Sequence, residues 1–227
     1  MEASNQSSGA TAGIMDKENL KSFYKKQLPG ILKTVFLKPV NGTYDLFKQP
    51  GEGVYGNALL LMLSTMILYF LTPYILAGKY LREILSFGML LKCGLVAGLF
   101  MLIISTLSFG IKSISGKPVF KQELLTGALC GIGLVLLLVV VLLVKMFGSS
   151  VNVYDMMNPA GIIRSIGFMM VFIVYIFLFM INIFQQSLRA SGTQETISWY
   201  ISPIAIMFAF YITGKLAAEF LMPSSPF

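Results

Sequence analysis

Histidine is absent from this chain, and with it the commonest metal ligand and the commonest general base. Cysteine occurs twice, tryptophan once, and charged residues make up only 12% of the sequence. These shortages exclude much chemistry. An intramembrane metalloprotease needs His and carboxylate ligands, and a rhomboid-type serine protease needs a His base, so neither can be assembled. Asp155 follows Tyr154 in the manner of an intramembrane aspartyl protease, yet no second Asp occurs in any long apolar run, and one carboxylate cannot form the dyad. No GxxxxGK[ST] loop is present to cradle nucleotide phosphates. Cys93 and Cys130 both fall within apolar runs, where thiols behave as small hydrophobes rather than disulfide partners. The reading is of a protein that is not an enzyme and uses no metal or cofactor.

What the chain has instead is apolar sequence in long runs: Val54 to Ala77, Cys93 to Ile111, Leu124 to Val144, Ile166 to Phe184 and Ile197 to Gly214. A hydrocarbon core about 30 Å thick needs about 20 apolar helical residues, and each run reaches or nearly reaches that length. The apolar content of 56% and the mean hydropathy of +0.78 are membrane values. The runs are continuous rather than alternating, which selects helices over a closed barrel. The predicted fold class is all-α, a polytopic transmembrane helical bundle with five spans and an N-terminal interfacial amphipathic segment. The expected divisions are a disordered tail over 1–16, a basic cytosolic interfacial segment over 17–53, a transmembrane domain over 54–221 and a short outer tail over 222–227. The spans are expected at 54–77, 84–111, 122–148, 161–185 and 197–221. No early apolar core resembles a cleaved signal, so the first span is expected to act as its own insertion signal.

Lysine and arginine set the expected orientation. With the N terminus inside, the inner segments hold eleven cations: Lys17, Lys21, Lys25, Lys26, Lys33, Lys38, Lys48, Lys112, Lys117, Lys121 and Arg189. The outer side holds six: Lys79, Arg82, Lys92, Lys145, Arg164 and Lys215. This excess places the N terminus in the cytoplasm and the C terminus outside. The net charge of +7 is then concentrated on the inner face, where anionic headgroups attract juxtamembrane lysines at about 1 kcal/mol each. The basic residues flank spans and accompany no nucleic-acid motif, so lipid rather than nucleic acid is the expected partner.

Between Leu20 and Phe47 apolar and basic residues interleave, with Lys21, Lys25, Lys26, Lys33, Lys38 and Lys48 as the expected contacts for anionic lipid. Pro29-Gly30 and Pro39 are expected to break the segment into short pieces. In Ile31 to Lys38 the apolar residues fall on one helical stripe with Lys33 off it, a pattern for a helix lying in the interface. A solvated basic linker is the alternative, because pieces so short are marginal helices in water.

At the outer boundary Lys92, Lys145, Arg164 and Lys215 lie at one level. Snorkelling to the headgroups explains them most simply, and Glu219, four residues after Lys215, is its expected helical ion-pair partner. A sharper reading makes these five residues an outer-leaflet charge cluster for an anionic headgroup or solute. Two small-xxx-small stripes, Gly94/Gly98 and Gly127/Gly131, predict close helix packing, within one chain or between copies. Pro73, Pro203, Asn182 and Tyr175 are expected to kink or bond within the bundle.

Three stretches carry a family likeness. Phe36-Leu37-Lys38-Pro39 with Tyr44-Asp45-Leu46-Phe47 precedes the first span; Ser115-Gly116-Lys117-Pro118-Val119-Phe120-Lys121-Gln122-Glu123-Leu124-Leu125 leads into the third; Gln186-Ser187-Leu188-Arg189-Ala190 leaves the fourth. In this order they resemble the Yip family, the Ypt/Rab-interacting membrane proteins, and in particular its prokaryotic branch. The resemblance implies a cytosolic N-terminal segment, five spans, a short outer tail and a bacterial plasma membrane. The Asp-Leu-Tyr-Gly-Pro element of eukaryotic members is Asp45-Leu46-Phe47-Lys48-Gln49-Pro50 here, so a Rab-type GTPase is not carried over as a partner. The expected function is that of a scaffold or adaptor in membrane organisation or transport, bound to anionic lipid and to a membrane-protein partner or a second copy of the chain. The alternative is a permease component or small channel for an anionic solute or lipid headgroup. An odd number of spans with few polar residues and no evident repeat disfavours a transporter acting alone.

Overall fold

The computed structural model describes residues 17–49, 53–77, 82, 85–147 and 159–221, apart from the side chains of 115, 145–147 and 159–168. The tails at 1–16 and 222–227 lie outside the described residues. The elements are helices: α1 (Lys17–Ser22), a π-helical turn (Phe23–Gln27), α2 (Leu28–Leu37), α3 (Asn41–Lys48), α4 (Val54–Leu76), α5 (Phe87–Ser115), α6 (Phe120–Phe147), α7 (Pro159–Ala190) and α8 (Glu195–Leu221). Helices α4 to α8 are each long and apolar enough to cross a membrane, and the chain is an integral membrane protein with an all-helical fold. The membrane side from which the chain enters α4 is termed the N side, and the opposite one the C side.

Local chemistry sets the ends of the spans. The Ser86 side chain caps α5 by accepting from the Met89 N–H at 3.3 Å, so this helix begins at Phe87, later than the apolar pattern predicts. The turn after α7 uses Gly192 at φ 89°, a left-handed conformation that favours glycine, with Thr193 N–H returning to Leu188 C=O. On the N side α5 and α7 run past the expected 111 and 185 to Ser115 and Ala190. Lys112, Gln186 and Ser187 at these ends are buried, Lys112 against Ser187, so polarity there does not mark a helix end.

Helix α6 is the axis of the bundle. Its mean hydropathy of 3.1 exceeds the 1.6 to 2.3 of the other spans, and it is the most enclosed of them. A helix apolar on all faces has no face for solvent, and every residue from Glu123 to Leu134 is buried. Helices α4, α5 and α7 pack on α6, and α8 packs on α5 and α7. Glycines permit the closest approaches. A side chain at Gly127 would collide with the Met101 carbonyl and Ser105 hydroxyl of α5, and one at Gly131 with Met101 Sδ at 2.6 Å. Gly94 and Gly98 lie instead against Met66 of α4. Both small-residue stripes are thus used inside one chain. Helix α8 meets its neighbours through a stripe of mostly small residues, Ser198, Ser202, Ala205, Ile206, Ala209 and Thr213.

The N-terminal segment is amphipathic and docked. Leu20, Phe23, Leu28, Ile31, Leu32 and Val35 face the bundle, with Phe23 and Val35 fully buried. Lys21, Lys25, Lys26, Lys33, Lys38 and Lys48 are all exposed. Tyr24 Oη lies 2.7 Å from Ser64 Oγ of α4, and Phe36 stacks on Phe179 of α7 at 5.3 Å between ring centres. Asn182 Nδ2 donates to the Pro39 carbonyl at 2.7 Å. Residues 17–39 therefore form a strap from α4 to α7. Pro29-Gly30 does not break it: the Leu28 N–H reaches back to Phe23 C=O in the wider π turn, and Pro29 falls in the first turn of α2, where a missing donor is tolerated. Pro39 does end it.

Candidate functional site

The most polar interior of the molecule lies on the N side, where three spans meet. The short connection from α5 to α6, Gly116 to Val119, folds the two helices back on each other and brings Lys112 and Glu123 together. Ser108 and Lys112 are one helical turn apart on α5, Glu123 and Thr126 nearly one turn apart on α6, and α7 contributes Ser187. Glu123 Oε2 accepts from Lys112 Nζ at 2.7 Å and from Ser108 Oγ at 2.6 Å. Lys112 Nζ also donates to Ser187 Oγ at 2.8 Å, and Ser187 is bonded to Thr126 Oγ1 at 2.7 Å. All five residues are buried, with Lys112 at 7% and Glu123 at 4% exposure. An isolated charge here would cost several kcal/mol; pairing and the surrounding hydroxyls offset that cost.

A rim of aromatic and polar groups surrounds this centre. Phe47 of α3 presents its ring to Lys112 Nζ at 5.9 Å, and Tyr44 lies under Arg189 at 6.0 Å and Lys48 at 5.3 Å. Arg189 also pairs with Glu195 at 3.4 Å and bonds Gln186, which bonds Asn182. A cavity of about 210 Å³ adjoins the centre, reached by Val54, Lys117, Gln122 and Ser191 as well as by the ion pair. It is smaller than the roughly 300–1,000 Å³ of small-molecule pockets and suits a few waters. Lys112 acts as a donor to both of its partners rather than as a base, and the arrangement chemically resembles a clamp. Among the described residues no group of three His, Cys, Asp or Glu side chains could hold a metal ion.

The residues singled out in the sequence are distributed differently. Lys92 Nζ donates to the Phe220 carbonyl at 2.8 Å and lies 5.0 Å from the centre of the Phe220 ring. The expected Lys215–Glu219 ion pair is not formed; both side chains are exposed, and the ion pairs among the described residues are Lys112–Glu123 and Arg189–Glu195. The side chains of Lys145 and Arg164 lie outside the described residues. Asn182 makes its bond to the strap, Tyr175 is exposed, and Pro73 and Pro203 lie inside α4 and α8.

Sequence reasoning missed the N-side centre because it counted Lys112 as a loop cation and assigned no role to Ser108, Glu123 or Thr126. A usable signal was present: the three stretches that carry the family likeness converge here, through Tyr44 and Phe47, Glu123, and Gln186, Ser187 and Arg189. Comparison of the chain with family models, curated proteins and solved structures finds no match.

Proposed function

We propose that the chain is a non-enzymatic integral membrane protein of the Yip type, a scaffold or adaptor in membrane organisation or transport, with its N side in the cytoplasm and its C terminus outside a bacterial plasma membrane. The strap carries this reading, because it holds a row of lysines outward on a fixed helical support. Its level on the bundle is informative. Phe179, which meets Phe36, is eight residues from Ser187, about 12 Å of helix rise. Ser64, which meets Tyr24, is ten residues from Val54, about 15 Å. Headgroups drawn to this cationic surface at about 1 kcal/mol per lysine descend along the α4–α7 flank, and the lysine stems snorkel to meet them. The leaflet is thinned there, and a thinned leaflet attracts proteins or lipids that match it.

The polar centre supports the same reading as the clamp that sets the N-side geometry. The permease alternative has less support, since the bundle next to the centre is filled by the fully buried Met101, Ile104, Leu129, Met180, Ile183 and Phe184. The test is extraction from the source membrane into native nanodiscs and mass spectrometry of what remains bound. The expected result is a stoichiometric membrane-protein partner with enriched anionic lipid, both reduced when Lys21, Lys25, Lys26 and Lys33 are changed together to Gln. The same bound set on both proteins, or bound solute without a protein partner, would overturn the proposal.

A further inference from the structure

A groove that begins at the C-side end of α8 is a second feature, independent of orientation and of the strap. Helices α4 and α8 both pack on α5 but not closely on each other, which leaves a groove over α5. Its volume is about 870 Å³, in the upper range of ligand pockets. Its walls are apolar, among them Leu59, Leu63, Met66, Leu95, Leu99 and Leu102. From Lys92 to Leu102 is ten residues of α5, about 15 Å, which is the depth of one leaflet's acyl region. The groove thus has the polarity and the height of lipid chains.

Glu219 and Phe220 line one end of the groove, and Lys92 of α5 lies beside that end. Glu219 lines the groove and takes part in no ion pair among the described residues. Lys92 is held beside the next residue of α8, its Nζ 2.8 Å from the Phe220 carbonyl. A purely anionic headgroup would meet the Glu219 carboxylate unfavourably, and a headgroup without a donor would leave that carboxylate unpaired at the membrane boundary. A zwitterion with a phosphate for Lys92 and a primary ammonium for Glu219 satisfies both.

We propose that the α4–α5–α8 groove binds a phospholipid of the C-side leaflet whose headgroup bears a primary amine, as phosphatidylethanolamine does, with its acyl chains along α5, its phosphate at Lys92 and its ammonium at Glu219. The test uses the full chain in nanodiscs of equal parts phosphatidylethanolamine, phosphatidylcholine and phosphatidylglycerol with matched acyl chains. Lipid retained after release into mild detergent is counted by native mass spectrometry. The wild-type chain is expected to retain the amine lipid about tenfold over either competitor, the effect of one charge-assisted hydrogen bond. Glu219→Gln brings the headgroups to parity while keeping total lipid, and Leu99→Trp, which fills the groove, lowers total lipid of every class. Equal retention of the three lipids by wild type, a preference that survives Glu219→Gln, or unchanged lipid in a folded Leu99→Trp variant each overturns the proposal. If Leu99→Trp does not fold, the Glu219→Gln comparison decides alone.

Discussion

Removing one partner from the N-side ion pair tests how the bundle is held together. Glu123→Leu deletes the acceptor of two charge-assisted hydrogen bonds, 2.6 and 2.7 Å long, and leaves the buried Lys112 with Ser187 as its remaining hydrogen-bond partner and the Phe47 ring nearby. Breaking a buried pair in this way costs about 3–5 kcal/mol, a factor of a few hundred to a few thousand in the folding equilibrium. Lys112→Met does the same from the other side. The double variant Lys112→Met/Glu123→Leu strands no charge and is expected within about 1–2 kcal/mol of wild type, since apolar replacement of a buried pair is often near neutral. The residual loss comes from Ser108, which loses its acceptor, and Ser187, which keeps Thr126. The assay is reversible unfolding in mixed micelles of mild detergent and dodecyl sulfate, followed by the fluorescence of the single tryptophan, Trp199. The decisive quantity is the coupling energy of the mutant cycle. Single variants within about 0.5 kcal/mol of wild type, or a double variant equal to the sum of the singles, would refute the clamp.

Glycine replacements separate contacts with backbone from open space: Gly127→Ala, pressed against the Met101 carbonyl, is expected to lose about 1–3 kcal/mol, whereas Gly110→Ala, with nothing near it, gains about 0.5–1 kcal/mol in the same unfolding assay. Gly192→Ala puts a side chain at φ 89° and lowers stability by about 1–2 kcal/mol; an unchanged midpoint would mean that the turn relaxes at little cost. Asn182→Ala removes the hydrogen bond to Pro39 and loosens the strap by about 0.5–1.5 kcal/mol, read as a roughly 2- to 10-fold faster amide exchange in residues 23–37 with exchange in α6 unchanged.

The spans were legible in the sequence because the membrane imposes one solvent on all of them, and apolar length alone reports it. The amphipathic stripe around Ile31 to Val35 was legible for the same reason, since helical periodicity separates Lys33 from the buried residues. Helix ends were harder. Ser86 as a cap is a local signal, yet the N-side extensions of α5 and α7 depend on polar residues that find partners on other helices. Lys112 illustrates the difficulty: read along the chain it ends a span, and only the hairpin that returns Glu123 turns it inward. Lys215 and Glu219 show the opposite error, because helical spacing permits a pair that two exposed side chains have little reason to form. Pro29-Gly30 was read by composition as a break, while the π turn ahead of it absorbs the defect.

The strap joins segments of the chain that are synthesised far apart in time. Pro39 leaves the ribosome 143 residues before its partner Asn182, and Phe36 as far ahead of Phe179. At about 5–20 residues per second that separation is roughly 7–30 s, in which the strap has no α7 to rest on. An apolar stripe backed by lysines can rest meanwhile where such a helix is stable by itself, at the N-side bilayer surface. The interfacial helix expected from the sequence suits the chain before α7 is made, and its seating on both Ser64 and Phe179 has to wait for α7.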